Sequence, residues 1–151
     1  MRPLTRARPR REDRPDTGAA VWPCRGRKAA MADRVLFVGW GRPVRGREEK
    51  AVESFNDVVG LFGRMQNEGR IEKFDVVFLD PHGGDLGGCF LLHCNTEQLH
   101  AVHDDKDFQR EIVRADLLVD GIGTVDGYIG DGIAEQMEMY TAALAEVPQH
   151  A

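Results

Sequence analysis

The feature that most constrains the fold of this chain is the order in which its hydrophobic periodicity changes. Strand-like segments, rich in β-branched and aromatic residues, fall at residues 34–41, 73–80, 88–94 and 121–130. Segments whose apolar residues recur three and four positions apart, as in a helix, fall at residues 47–68, 95–105, 108–119 and 133–147. The pattern therefore predicts the order β-α-β-β-α-β plus a C-terminal helix, with the second helix interrupted at the sequence DDKD.

This order is typical of the ferredoxin-like α+β fold, in which a split βαβ arrangement forms one antiparallel sheet with strand order 4-1-3-2. The helices of such a fold cover one face of the sheet. On every strand, both the odd-numbered and the even-numbered residues include Leu, Val, Phe or Ile. The other face is therefore apolar whichever set it carries, and too apolar to remain exposed to water. We therefore expect a homodimer in which two chains pack sheet against sheet.

With this element order, these element lengths and the segment DKDFQREIV before the last strand, the chain resembles the dimeric α/β-barrel superfamily. That superfamily includes small cofactor-independent monooxygenases, muconolactone isomerases, haem-degrading enzymes and YCII-related proteins. The resemblance covers roughly residues 34–130. It implies a dimeric α/β barrel that binds a small, largely apolar organic molecule and oxygenates or isomerises it without an organic cofactor. No catalytic motif accompanies the resemblance, so the fold does not by itself specify an activity.

The first 30 residues differ in charge from the rest of the chain. They contain nine basic and three acidic residues, whereas the remaining chain contains eleven basic and 22 acidic ones. We expect residues 1–31 to be a disordered basic leader, and we interpret Met31 as the true start of a ferredoxin-like domain at residues 32–148. A nucleic-acid-binding arm remains an alternative for the leader, while a targeting peptide is disfavoured because no apolar segment follows its arginines. The acidic domain itself is not expected to bind nucleic acid specifically.

Composition and motifs exclude several other classes of protein. Three cysteines without a C-x-x-C pair favour a reducing, cytoplasmic compartment, and apolar runs of about six residues are too short to span a membrane. In GIGTVDG, Asp126 replaces the third glycine of a dinucleotide-binding motif. His93 and Cys94 cannot both bind one metal ion, since adjacent strand residues point to opposite faces, and His100 and His103 lack further ligands. We expect no metal and no cofactor.

Strand parity indicates where a site lies. The second and third strands each have one wholly apolar alternate set, and placing those sets against the helices predicts a hairpin register in which Asp75 lies directly opposite His93. A carboxylate beside an imidazole fixes the ring tautomer and raises its basicity, so His93 is the candidate general base and Asp75 its orienting group. We expect both to face a cavity between the two sheets, with Asp126, Tyr128 and Trp40 as candidate substrate-binding residues.

Several other interpretations fit the same residues. Asp75 and His93 also fit a hydrogen-bonded polar pair near the dimer interface, without a catalytic role. The glycine-rich HGGDLGG between the second and third strands predicts a hairpin turn, since no helix N-terminus or lysine follows it as in a phosphate site. The whole domain could equally be a non-catalytic dimerisation or regulatory module, or a haem-binding variant that the colour of the purified protein would reveal.

Overall fold

The structure is a computed structural model that describes residues 32–148 and residue 150. The basic leader, Cys24 and the start at Met31 lie outside the described residues. The sheet is formed by β1 (Arg34–Trp40), β2 (Lys73–Phe78), β3 (Gly88–Cys94) and β4 (Gly123–Tyr128). The helices are α1 (Glu48–Asn67), α2 (Thr96–Asp104), α3 (Lys106–Asp116) and α4 (Asp131–Glu146).

The four strands form one antiparallel sheet in the order β2-β3-β1-β4. This is the predicted order 4-1-3-2 counted from the other edge, and the predicted ferredoxin-like α+β topology is confirmed. The central strands β1 and β3 pair along their whole length, from Arg34 opposite Cys94 to Trp40 opposite Gly88.

The helix boundaries follow from local sequence signals. Helix α1 begins with two acidic residues, which favour the positive end of the helix dipole, and Gly69 follows its end with a φ of 72° that an L side chain rarely adopts. At the start of α2, the side chain of Asn95 accepts from the Gln98 amide while the Gln98 side chain accepts from the Asn95 amide. Asp105 ends α2 and caps α3, which accounts for the predicted interruption.

The hydrophobic core lies between α1, α2, α3 and one face of the sheet. On β1 and β3 the even-numbered residues face these helices, as Leu36, Val38 and Leu92 do, and they are buried. On the same strands the odd-numbered residues, such as Phe37 and Leu91, point to the opposite face, because side chains alternate along a strand. We call these the helix-facing side and the open side of the sheet.

The predicted register of the β2–β3 hairpin is wrong by two residues. Asp75 lies opposite Leu91, and His93 lies opposite Lys73, so Asp75 and His93 are diagonal neighbours rather than a direct pair. A shift of two residues preserves the face of every side chain, which is why the predicted inward and outward sets still hold. Strand β2 ends at Phe78, opposite Gly88.

Helix α4 follows β4 through Gly130, whose φ of 53° allows the chain to turn sharply. Gly132 approaches the residue before β1 so closely that a Cβ atom would lie 2.3 Å from the Asp33 carbonyl oxygen. Beyond this glycine the apolar side chains of α4, including Ile133, Met137 and Tyr140, remain exposed. Among the described residues, no helix combines the length and the apolar character that crossing a membrane requires.

Candidate functional site

A cavity of about 550 Å³ lies between the helix-facing side of the sheet and helices α1 and α3. Strand residues form its floor, and side chains of both helices form its walls. The loop residues after β1 and after α3 close one end. Its principal lining residues are Val38, Trp40, Phe78 and Phe90 from the sheet, Ala51, Val52, Ser54, Phe55 and Val58 from α1, and Ile112 and Ala115 from α3.

Four aromatic side chains surround the floor of this cavity, and we call them the aromatic wall: Trp40, Phe55, Phe78 and Phe90. The Trp40 ring centroid lies 4.9 Å from that of Phe90 and 6.0 Å from those of Phe55 and Phe78. Phe55 and Phe90 are stacked, with centroids 5.4 Å apart and ring planes inclined by 22°. The wall extends to the surface, since Phe78 is 69% exposed.

The position of Trp40 depends on a glycine in the neighbouring strand. Trp40 is paired with Gly88, and a Cβ atom at Gly88 would lie 2.7 Å from the Trp40 ring. The indole therefore lies directly over the backbone of β3. Any larger residue at position 88 would displace the ring from the aromatic wall.

The closed end of the cavity is held by backbone hydrogen bonds between two loops. The Gly41 amide donates to the Asp120 carbonyl at 2.7 Å, the Asp120 amide to the Arg42 carbonyl at 2.8 Å, and the Val44 amide to the Leu118 carbonyl at 2.9 Å. The guanidinium of Arg47 also donates to the Leu117 carbonyl. These contacts fix the loop after α3 against the loop after β1, so this end of the cavity is preorganised.

The glycine-rich segment HGGDLGG forms the hairpin loop between β2 and β3, beside the open mouth of the cavity. The His82 ring holds this loop, because Nδ1 accepts from the Gly84 amide at 3.2 Å while Nε2 lies 2.7 Å from the Leu86 carbonyl. Nδ1 is therefore the unprotonated nitrogen, and Nε2 carries the hydrogen that it donates to Leu86. The segment is therefore a turn in which the His82 side chain forms hydrogen bonds with backbone groups of the same loop.

The candidate base and its orienting group meet on the open side of the sheet, away from the cavity. His93 Nε2 lies 2.8 Å from Asp75 Oδ2, and Lys73 Nζ lies 3.7 Å from the same oxygen. The His93 side chain is 20% exposed and that of Asp75 is 48% exposed. The carboxylate can accept a hydrogen from Nε2 and leave Nδ1 as the basic nitrogen, which is the arrangement a general base requires.

The other candidate site residues do not lie on the face that carries this pair. Asp126 and Tyr128 are paired with Leu36 and Arg34, so the predicted grouping with Asp75 and His93 is wrong. The reason is parity: β4 pairs with β1 in a register that places its even-numbered residues on the helix-facing side.

Each of these residues has a different partner. His103 Nε2 lies 2.8 Å from Asp126 Oδ1, and the Arg34 guanidinium lies 4.2 Å from the centre of the Tyr128 ring. Trp40 is also on the helix-facing side, where it forms part of the aromatic wall instead of facing a cavity between sheets.

The cysteines of the described residues are buried and free. Burial raises the pKa of the Cys94 thiol to about 11 and also raises the pKa of the Cys89 thiol. Both side chains are therefore protonated near neutral pH. Within residues 32–148 no three side chains among His, Cys, Asp and Glu are arranged to hold a metal ion.

Sequence patterns alone did not identify Ser54, Phe55, Phe78 and Phe90 as site residues. Phe55 and Phe90 carry the periodicity of ordinary core positions, and nothing in that pattern separates a filled core from a cavity. A cavity depends on the distance between α1, α3 and the sheet, which is a property of packing. The one local signal is Ser54, a polar residue on the otherwise apolar buried face of α1.

Fold and site together define a ferredoxin-like α+β protein with an apolar cavity between its sheet and its helices. Comparison with known proteins agrees with the fold. A conserved protein of unknown function from Bacteroides thetaiotaomicron, described as a possible oxidoreductase, superposes with a TM-score of 0.50 at 15% sequence identity. The superposition covers 65% of this chain and 99% of that one.

Two further solved structures are similar at lower scores. A dimeric protein of unknown function with a ferredoxin-like fold, from Bacteroides fragilis, has a TM-score of 0.49 at 10% identity over 66% of this chain and 99% of that chain. A cofactor-independent oxygenase from Streptomyces nogalater has a TM-score of 0.43 at 15% identity over 66% and 93%. No protein-family model and no curated protein matches the sequence.

Proposed function

We propose that this protein binds a small, largely apolar organic molecule in the cavity beside the aromatic wall. The observation that carries the proposal is a cavity of about 550 Å³ lined by four aromatic side chains, with Phe78 at its mouth. Pockets for small ligands usually enclose about 300–1,000 Å³ and are lined mainly by hydrophobic and aromatic residues with few polar groups. The sequence placed the ligand between two sheets, whereas this cavity lies within one subunit.

A direct test uses naphthalene as the probe, because its two fused rings match the aromatic lining. We expect calorimetric titration of the full-length protein to detect binding and Ala51→Phe to weaken it at least about tenfold, since the new ring would occupy the cavity. Val113→Phe is the matched control, because Val113 is exposed on α3 and lies outside the cavity lining. An absence of naphthalene binding, or equal loss in both variants, would contradict the proposal.

The open side of the sheet supports the proposal that the protein is a homodimer. Phe37, Leu91 and Val125 present apolar side chains there, and Val125 is 61% exposed in the single subunit. A second copy of the chain would cover this surface, as predicted from the apolar residues of both strand faces. The similar Bacteroides fragilis protein is described as dimeric.

Light scattering during gel filtration tests the dimer. We expect twice the mass of one chain for the wild type and a single-chain mass for Val125→Lys, because each subunit would have to bury an unpaired ammonium group in the interface. Val113→Lys, on the outer surface of α3, should leave the mass unchanged. A wild type that remains a monomer at millimolar concentration would overturn this arrangement.

A second candidate function is acid–base catalysis by His93, which the 2.8 Å contact with Asp75 favours. In the proposed dimer this pair would lie at the interface between sheets, where exclusion of water strengthens the hydrogen bond between the carboxylate and the ring. Ring opening of nitrobenzisoxazole, a reaction that needs only a base, provides the probe. We expect His93→Ala to abolish any rate above that of buffer, whereas His100→Ala, an exposed position on α2, should retain it. Equal rates in both variants would exclude His93 as the base.

A further inference from the structure

We propose that the hydroxyl of Ser54 is the polar contact that selects the ligand of the cavity. The inference rests on the proposed function and narrows it: the preferred ligand is an aromatic molecule whose buried part carries one oxygen, either a hydroxyl or a carbonyl group. Ser54 would then distinguish such a molecule from a hydrocarbon of the same shape.

Ser54 is unusual among the described residues. It is only 3% exposed, and among the described residues it is the buried one with a polar side chain. It lies on the face of α1 that otherwise buries Ala51, Val58 and Leu61. Its Oγ atom has no hydrogen-bond partner. A serine in a helix usually reaches solvent or donates to the carbonyl one turn earlier, and Ser54 does neither.

An unpaired buried hydroxyl destabilises a folded protein, because its hydrogen bonds to water are lost and not replaced. The same group becomes favourable when a ligand supplies the missing partner. A serine hydroxyl can both donate and accept a hydrogen bond, so a carbonyl oxygen and a hydroxyl group are both suitable partners. An alkyl group is not, since it would leave the serine unpaired.

The surroundings of Ser54 indicate what carries that oxygen. Ser54 lines the cavity together with Phe55 of the aromatic wall and with Ile112 and Ala115 of α3. Rotation about its single side-chain torsion moves Oγ among three staggered positions, so the hydroxyl can turn toward a ligand. Of the other lining side chains with polar groups, Arg42 and Asn56 are exposed, and Trp40 offers only an indole N–H that cannot accept a hydrogen bond. A ring held by the aromatic wall can therefore bury one oxygen at Ser54.

Naphthol and naphthalene form a matched pair of probes that differ by one hydroxyl group. With the full-length wild type we expect calorimetry to show naphthol binding about three- to tenfold more tightly, the effect of one net hydrogen bond. Ser54→Ala should abolish this preference and leave naphthalene affinity within about twofold. Ser54→Thr, which retains a hydroxyl, should keep the preference.

Ser54→Ala should also raise the melting temperature, because it removes an unpaired buried hydroxyl and improves helix propensity. A gain in stability together with a loss of naphthol affinity separates a ligand-binding role from a structural one. If naphthalene binds and Ser54→Ala leaves the naphthol preference unchanged, the role of Ser54 is overturned and the cavity proposal stands. If neither probe binds the wild type, both proposals fall.

Discussion

The two sides of the sheet are built from alternate residues of the same strands, yet they have different physical character. On the helix-facing side Leu36 and Leu92 are fully buried, and the remaining space is the apolar cavity. On the open side Val125 is largely exposed, and a half-exposed carboxylate contacts His93. Alternation along each strand thus places the core and the cavity on one side, and the proposed dimer surface and a polar pair on the other. Substitutions at neighbouring positions can test this division.

Adjacent leucines of β3 give the largest expected difference. Leu92 is 0% exposed on the helix-facing side, whereas Leu91 is half-buried on the open side. We expect Leu92→Ala to lower the free energy of unfolding by about 2–5 kcal/mol, through lost burial and the void it leaves. Leu91→Ala should cost about 1 kcal/mol in the monomer. Urea denaturation measures both, at several protein concentrations because a dimer interface over Leu91 would make its cost concentration-dependent. Equal costs at low concentration would contradict the division.

The two free cysteines of the described residues allow the two sides of the sheet to be compared by thiol reactivity. Cys94 lies on the helix-facing side, and its pKa of about 11, against an ordinary 9.0, implies about a hundredfold less thiolate at pH 8. Cys89 lies on the open side, where burial also raises its pKa. We expect a thiol reagent to modify Cys89 first, and Cys94 only as the protein unfolds.

Single-thiol variants make this measurement specific. Both carry Cys24→Ser, since Cys24 lies outside the described residues, and each retains either Cys89 or Cys94. In the proposed dimer the reaction of Cys89 should slow as protein concentration rises, while that of Cys94 should follow the unfolding rate. Faster modification of Cys94 than of Cys89 would contradict the burial pattern.

Asp105 forms polar contacts beside the helices that cover the helix-facing side. Its side chain accepts from the Phe108 amide at 2.8 Å and forms an ion pair with Arg70, which raises the pKa of that guanidinium. Burial raises the pKa of the Asp105 carboxyl, but these hydrogen bonds outweigh burial and hold the pKa below its ordinary value. Its stabilisation is therefore present above an ordinary carboxyl pKa and lost as pH falls through the lowered one.

We expect Asp105→Ala to cost about 1–3 kcal/mol in the free energy of unfolding, since both the helix cap and the ion pair disappear. Asp105→Asn should cost less, because asparagine still caps a helix. The asparagine variant should also lose less stability than the wild type as the pH falls below the ordinary carboxyl pKa of 3.8. Parallel pH dependence in the two proteins would show that Asp105 does not contribute in this way.

The sequence predictions succeeded where a feature depends on residues close together in the chain. Helix starts such as the Asn95–Gln98 capping box involve residues three apart, and strand faces follow from alternation, so both are visible in the sequence. The hairpin register was wrong by two because alternation determines only the face of each residue, and registers that differ by two residues give the same faces. Asp126 was misplaced because its face depends on the pairing of β4 with β1, a contact between residues about ninety positions apart.

The cavity within one subunit was not predicted, for a related reason. Apolar residues on both sheet faces indicated that both are covered, but did not show which covering leaves space. Side-chain size and the separation of the helices from the sheet decide that, and a local sign of it within the described residues is Ser54 on the buried face of α1.

Two carboxylate–imidazole pairs, one on each side of the sheet, give the smallest expected effects and the sharpest contrast. His93 contacts Asp75 on the open side, and His103 contacts Asp126 on the helix-facing side, both at 2.8 Å. We expect Asp75→Asn to change the free energy of unfolding by less than about 1 kcal/mol, because the pair is partly exposed. Nitrogen NMR should nevertheless show that neutral His93 loses its preference for a hydrogen on Nε2, since an amide can either donate or accept. Asp126→Asn is the control and should alter His103 alone. An unchanged His93 tautomer in Asp75→Asn would show that the carboxylate does not orient the ring, and His93 would then lose its case as a general base.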